Sequence, residues 1–215
     1  MKFANKLRRC AAVSSLSIAC LLAAPAQAAV VLQVSAGGVL TGASGVTVGA
    51  LPGTYSVAFL DGSCNTLFAS CNPSLFAFSS AGQALDASAA LLDSVFVDTG
   101  QGLFDSVPGL TRGCEHPKIC SVWTPYAITT VFSQVALGIA YNLIPLPIDS
   151  DTTDFGGVFE TLDTTFESTL VYAVWSREAV APAAVPEPGT LALLGLAGAV
   201  LGWTQRRRRP AIPIQ

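Results

Sequence analysis

Apolar and polar positions alternate along several central segments of the chain in a way that is typical of β-strands. Residues 30–34 and 54–60 are rich in β-branched and aromatic side chains, and strand-forming residues return over 122–140. The clearest pattern covers residues 165–175, where one face carries Phe166, Leu170, Tyr172 and Val174 and the other face is apolar as well. A strand that is apolar on both faces is usually buried on both, so we expect this segment at the centre of a sheet.

One segment has helical periodicity instead. Over residues 80–98, the apolar side chains of Leu85, Ala89, Leu92 and Phe96 recur at spacings of three and four, which predicts a helix. Ser80 and Gln83 fit a capping box at the start of this helix. Together these patterns predict an α+β, strand-rich domain over residues 29–178, with a sandwich-like sheet and at least one helix.

The first 28 residues have the three parts of a secretory signal peptide. Four basic residues precede an apolar stretch over residues 10–24, and Ala26-Gln27-Ala28 supplies a small-residue cleavage site. We expect export through the Sec translocon and cleavage by signal peptidase after Ala28. Two alternatives stay open: a retained N-terminal membrane helix, and a lipoprotein modified at Cys20, where Ile18-Ala19-Cys20 resembles part of a lipobox.

The C-terminal residues divide into a linker, a short apolar helix and a basic tail, predicted at residues 179–189, 190–204 and 205–215. Pro186, Glu187 and Pro188 cannot enter a helix, because each proline lacks an N–H donor and restricts the residue before it. The uncharged stretch 190–203 would span about 21 Å as a helix, against a hydrocarbon core of about 30 Å. By the positive-inside rule, the cytoplasmic side holds the arginines that follow: Arg206, Arg207, Arg208 and Arg209.

Residues 185–209 resemble the PEP-CTERM sorting domain, because a Pro-Glu-Pro motif, a short Leu/Ala/Gly helix and an arginine cluster follow one another in that order. The resemblance implies a Gram-negative source, processing near Pro186-Glu187-Pro188 by an exosortase-type membrane protease, and delivery to the cell surface or an exopolysaccharide matrix. It assigns processing and sorting to the Pro-Glu-Pro motif and the four arginines. The segments YSVAFLDGSC and YAVW of the exported domain are also similar to uncharacterised PEP-CTERM proteins. The alternative is an ordinary short membrane anchor behind a stiff linker.

The charge of the exported region differs from that of the whole chain. Residues 29–185 contain thirteen acidic residues and three basic ones, a net charge of −10, whereas the full chain has a net charge of −3. So acidic a region repels nucleic acid, which we therefore exclude as a partner. The same charge keeps a protein soluble or attracts divalent cations.

Four cysteines remain after removal of the signal peptide, and an even count in an exported chain predicts disulfides. Three pairings are possible. We favour the local one, Cys64 with Cys71 and Cys114 with Cys120, because each pair brackets a turn-forming stretch. The rival interpretation, a zinc site, lacks a C-x-x-C spacing and has only His116 to help.

The sequence offers little catalytic chemistry. The single histidine, His116, lies between two cysteines and is expected in an exposed, disulfide-closed loop, and no serine-hydrolase, metalloprotease or P-loop motif occurs. One calcium hypothesis rests on Asp149, Asp151 and Asp154 ahead of two glycines, but their spacing does not match an EF-hand and we favour a solvated acidic turn.

We therefore predict a non-enzymatic structural or adhesive protein of the cell surface or extracellular matrix, with no cofactor. An inner-membrane intermediate with a cytoplasmic C-terminus would precede its release into a biofilm matrix, where we expect exopolysaccharide as a partner. The alternative is a secreted enzyme that acts on matrix polysaccharide, because glycoside hydrolysis needs a pair of carboxylates whose separation is set by the fold.

Overall fold

A computed structural model describes residues 29–129, 134–144 and 151–179. Within them, seven strands form one mixed sheet, and a separate two-stranded hairpin consists of β4 (Asp98–Thr99) and β5 (Gly102–Leu103). The signal peptide, the membrane helix and the arginine tail that the sequence predicts lie outside these residues, as does nearly all of the linker. The strands of the large sheet are β1 (Val31–Val34), β2 (Leu40–Val46), β3 (Tyr55–Leu60), β6 (Ile119–Thr129), β7 (Gln134–Leu143), β8 (Thr152–Phe159) and β9 (Leu170–Arg177).

The large sheet has the strand order β1-β2-β3-β9-β6-β7-β8, so β9 occupies its centre, as its two apolar faces predicted. Neighbouring strands are antiparallel except for β6 and β9, which run in parallel. The α+β class is confirmed, but the sandwich is not: the described residues bury one sheet under helices and loops rather than under a second large sheet.

Over the part of the chain that the structure describes, two α-helices accompany the sheet, α1 (Cys64–Leu67) and α2 (Ala81–Ser94). Ser80 caps α2 as predicted, since its hydroxyl accepts the Gln83 N–H at 3.4 Å. The Gln83 side chain, however, reaches the N–H of Ser79 at 3.0 Å rather than that of Ser80. The helix ends four residues before the predicted position, because residues 98–99 instead pair in the small hairpin.

The apolar positions that indicated the helix are not the ones that α2 buries most deeply, apart from Phe96, which follows the helix and is buried. The side chains that are fully buried are mostly smaller ones, Ala84, Ala87, Ser88 and Leu91, while Leu85, Ala89 and Leu92 are half-buried. The cause is the close approach of the helix to β7: a Cβ at Gly138 would lie 2.7 Å from the Ala84 backbone. Only small side chains fit between a helix and a strand at that distance, so they and not the larger residues form the contact.

Each face of the sheet has its own apolar cluster. On one face, α2 packs with Phe59, Phe78, Phe96 and Trp175. The Trp175 indole N–H donates to the Thr124 hydroxyl at 3.1 Å, which satisfies a donor that burial removes from water. On the other face, α1 and the loop after it cover a second cluster, which consists of Cys64, Phe68, Cys71, Phe76, Trp123, Val135, Leu137, Ile139 and Tyr172.

Several elements differ from the sequence-based expectation. β2 and β8 were not predicted, because their segments are rich in Gly, Ser, Thr and Asp rather than in large apolar residues. Phe166 does not share a face with Leu170, because residues Thr164–Phe166 form a 3₁₀ turn ahead of β9, and the Phe166 side chain is 85% exposed. Pro125 lies inside β6 at a shift in register, the kind of irregularity that accommodates a residue without an N–H.

Candidate functional site

The last described residues of the domain are held by a clamp around the Glu178 carboxylate. Its oxygens accept hydrogen bonds from the Gly45 N–H at 2.7 Å, the Thr54 hydroxyl at 2.7 Å and the Ser56 hydroxyl at 2.6 Å. The Glu178 N–H also donates to the Thr54 carbonyl oxygen at 2.9 Å. We call Glu178, Gly45, Thr54 and Ser56 the exit clamp, because the chain leaves the sheet here toward the C-terminal residues.

Hydrogen bonding changes the acidity of this carboxyl group. Donation by Ser56, then by Thr54 and the Gly45 N–H, lowers the pKa of Glu178, because each donor stabilises the ionised form. The clamp is therefore charged at neutral pH. It joins β9 to β2 and β3 across more than 120 residues of sequence.

The beginning of the exported domain lies at the same place as the exit clamp. Gly45 has a φ of +74°, and a Cβ there would lie 2.8 Å from the Ala29 carbonyl oxygen. The Cα of Gly45 thus lies against Ala29, and its N–H donates to the Glu178 carboxylate. We call this the tether end of the sheet. It also includes Tyr55, which pairs with Arg177.

The opposite end of the sheet carries a second polar cluster. Here Asp61 follows β3, and its carboxylate accepts the Thr164 hydroxyl at 3.3 Å. The Thr164 N–H donates to the Gly62 carbonyl oxygen at 3.1 Å, which attaches the connection between β8 and β9 to this end. Burial raises the pKa of Asp61; the Thr164 hydrogen bond and Arg112 oppose the shift, and Glu115 adds to it. We call this the far end.

Both disulfides are present, and they join the cysteines in the local pairing that the sequence favoured. Cys64–Cys71 belongs to the apolar cluster beneath α1, and Cys114–Cys120 to the cluster beneath α2. His116 lies in the loop that the second disulfide closes, but it is half-buried rather than exposed. The His116 Nδ1 accepts the Lys118 backbone N–H at 3.3 Å, and the His116 backbone N–H donates to the Ser168 carbonyl oxygen at 3.0 Å.

The calcium hypothesis gains no support from the described residues. Asp149 lies outside them. Asp151 accepts the Leu143 N–H at 2.8 Å, and Asp154 lies within β8, where it pairs with Ile139 rather than in a turn. Within the described part of the chain, no three His, Cys, Asp or Glu side chains are grouped so that they could hold a metal ion.

The processing residues assigned by resemblance, Pro186, Glu187, Pro188 and the four arginines, also lie outside the described residues. Among residues 29–129, 134–144 and 151–179, no helix combines the length and apolar character needed to cross a membrane. The exit clamp is the feature that sequence reasoning missed. Its donors are 122 to 133 residues away from Glu178, so no local pattern marks it.

Comparison with known proteins identifies the C-terminal residues. The family model of the PEP-CTERM protein-sorting motif matches residues 184–209, one residue longer than the stretch that the sequence patterns indicated. The chain therefore carries a PEP-CTERM sorting domain, and this motif implies export, membrane-associated sorting and processing by an exosortase. No curated protein and no solved structure shows a significant match to the chain.

Proposed function

We propose that this PEP-CTERM protein is a non-enzymatic structural or adhesive component of the cell surface or extracellular matrix of a Gram-negative bacterium. The sorting motif at residues 184–209 is the observation that carries the proposal. In this scheme an exosortase-type membrane protease acts near Pro186-Glu187-Pro188 on an intermediate whose C-terminus is cytoplasmic. The domain then passes to the surface or to an exopolysaccharide matrix.

Properties of the domain support an extracellular destination. Two disulfides suit an oxidising compartment, where they persist without reduction by cytosolic thiols. A net charge of −10 over residues 29–185 favours solubility and resists association between copies. Both properties fit a protein that accumulates outside the cell.

The physical requirements of the tail support its role as a transient anchor. An arginine drawn to the bilayer centre costs about 2.5–3.5 kcal/mol, so four of them would hold the C-terminus in the cytoplasm. A stretch of about 14 apolar residues is short for a permanent span. Such a chain would be retained long enough to be cleaved, without the stable insertion of a full-length membrane helix.

The sorting step is tested by transfer of residues 184–209 to an exported reporter in a host with and without the exosortase. We expect retention in the membrane followed by exosortase-dependent release. Replacement of Pro186, Glu187 and Pro188 by alanine should leave the reporter uncleaved, and replacement of the four arginines by serine should weaken its retention. If the alanine variant is processed like the parent, the motif acts only as a linker and the sorting proposal is wrong.

The matrix role needs a separate experiment. Cell fractionation should find the mature protein, with Ala29 as its first residue, in the surface or matrix fraction. Its deletion should reduce matrix cohesion and leave polysaccharide chain length unchanged. If the purified mature protein shortens the matrix polysaccharide, as new reducing ends would reveal, the non-enzymatic role is contradicted.

A further inference from the structure

We infer that the tether end of the domain faces the membrane-bound processing protease and that the far end is presented to the outside. This inference rests on the proposed sorting function and adds an orientation to it. Its basis is that Ala29 and Glu178, the two ends of the domain, both lie against Gly45. The signal peptide before its cleavage and the sorting tail afterwards therefore both join the domain at the same end of the sheet.

The exit clamp makes Glu178 a fixed point. Three hydrogen bonds to its carboxylate and one from its N–H connect it to β2 and β3. The chain that can extend toward the membrane therefore begins after Glu178. From there to Pro186 it advances by eight Cα steps, which reach at most about 29 Å even when fully extended.

That reach is too short to allow an orientation in which the far end faces the membrane. β9 has eight residues, which corresponds to a length of about 26 Å at about 3.3 Å per residue. If the far end faced the membrane, the linker would have to run back along the whole strand, and almost none of it would remain to present the Pro-Glu-Pro motif. With the tether end facing the membrane, the full linker length is available to the protease.

Two exposed turns at opposite ends of the sheet allow a matched test. Pro52 and Gly53 lie in the bend between β2 and β3 at the tether end, where a Cβ on Gly53 would lie 3.6 Å from the Arg177 guanidinium. Ala36 and Gly37 lie in the turn between β1 and β2 at the far end. A small folded module would be inserted between Pro52 and Gly53 in one full-length variant and between Ala36 and Gly37 in the other.

Processing of both variants would be followed by pulse-chase in cells that contain the exosortase. A module at the tether end should slow cleavage by about ten-fold or more, because it separates the motif from a protease that a short linker must reach. The same module at the far end should change the rate by less than about two-fold. Equal slowing by the two insertions, or no slowing by either, overturns the orientation.

A rescue variant separates this effect from misfolding. In the chain with the module at the tether end, about 20 Gly/Ser residues inserted after Glu178 add about 25 Å of average reach. Cleavage should then recover to within about three-fold of the parent, which a misfolded domain would not do. Absence of recovery overturns the inference. If a full-length variant that has no inserted module and lacks the Pro-Glu-Pro motif is still cleaved, the sorting proposal fails, whatever the insertions show.

Discussion

Replacing Glu178 by glutamine removes the charge of the exit clamp while it preserves the length of the side chain. The amide oxygen of glutamine can still accept from Gly45 and Ser56, but its NH₂ group replaces the oxygen that accepts from Thr54. Hydrogen bonds to an ionised acceptor are roughly twice as strong as neutral ones. Because Glu178 is partly exposed, water screens its charge and reduces this advantage. We therefore expect E178Q to lower the free energy of unfolding by about 1–2 kcal/mol at pH 7.

The pH dependence of this loss follows from the pKa. Hydrogen bonding lowers the pKa of Glu178 in the folded protein, so its charge stabilises the fold fully above the pKa of the unfolded chain, about 4.3. This contribution is lost as the pH falls through the lower, folded pKa. The difference between the parent and E178Q should thus be constant at neutral pH and shrink in acid.

The assay is urea denaturation of the purified mature protein, with its disulfides intact, at several pH values. Glu167→Gln is the matched control, because Glu167 is exposed in the connection before β9 and E167Q removes the same charge. E178Q should be less stable than E167Q at pH 7, and the difference should shrink as the pH falls through the lowered pKa of Glu178. Equal stabilities at pH 7, or a difference that persists unchanged in acid, would refute the charged clamp.

Three further predictions concern packing and cross-links. Gly138→Ala should lower the free energy of unfolding by about 1–3 kcal/mol, because its Cβ would meet the Ala84 backbone. Gly82→Ala, in α2 like Ala84 but facing open space, should instead raise the free energy of unfolding by about 0.5–1 kcal/mol. Denaturation curves in which both variants change alike would contradict this. Tyr172→Phe should be neutral or stabilising by up to about 1 kcal/mol, because the buried Tyr172 hydroxyl has no hydrogen-bond partner among the described residues; a clear loss of stability would reveal a partner. Replacing either cysteine pair by alanine should cost about 2.5 kcal/mol, and the two costs should add because the disulfides belong to different clusters; a double variant that loses much less than the sum would contradict their independence.

The features predictable from sequence were those that depend on neighbouring residues. β3 and β9 were found because alternation or continuous apolar character marks burial directly, and the disulfides because each pair closes a short loop. The sorting motif was found for the same reason: it is a contiguous stretch of 26 residues that is recognised without any tertiary structure.

The features that were missed depend on residues far away in the sequence. Helix α2 shows a plausible stripe of larger residues, but Gly138, more than 40 positions later, determines that Ala84 and Ala87 face the sheet instead. β8 lacks an apolar pattern because it is an edge strand, with Phe155 and Phe159 about half exposed. Glu178 gave no local signal, since nothing near it indicates that Gly45, Thr54 and Ser56 converge on it.

Maturation would also change the electrostatics of the protein. Eight of the eleven basic residues lie before Ala29 or after Pro188, so cleavage at both predicted sites converts a chain of net charge −3 into a domain of net charge −10. While it remains tethered, the chain keeps most of its positive charges at or beyond the membrane and nearly all of its negative charges in the exported domain. Once the domain is released, its negative charge would repel other copies and anionic polymers at low ionic strength. At physiological ionic strength, salt would screen this repulsion beyond a distance of about 8 Å. Association with an anionic matrix would then have to depend on salt or on divalent cations, so measuring matrix retention across ionic strength tests whether charge or specific contact holds the domain there.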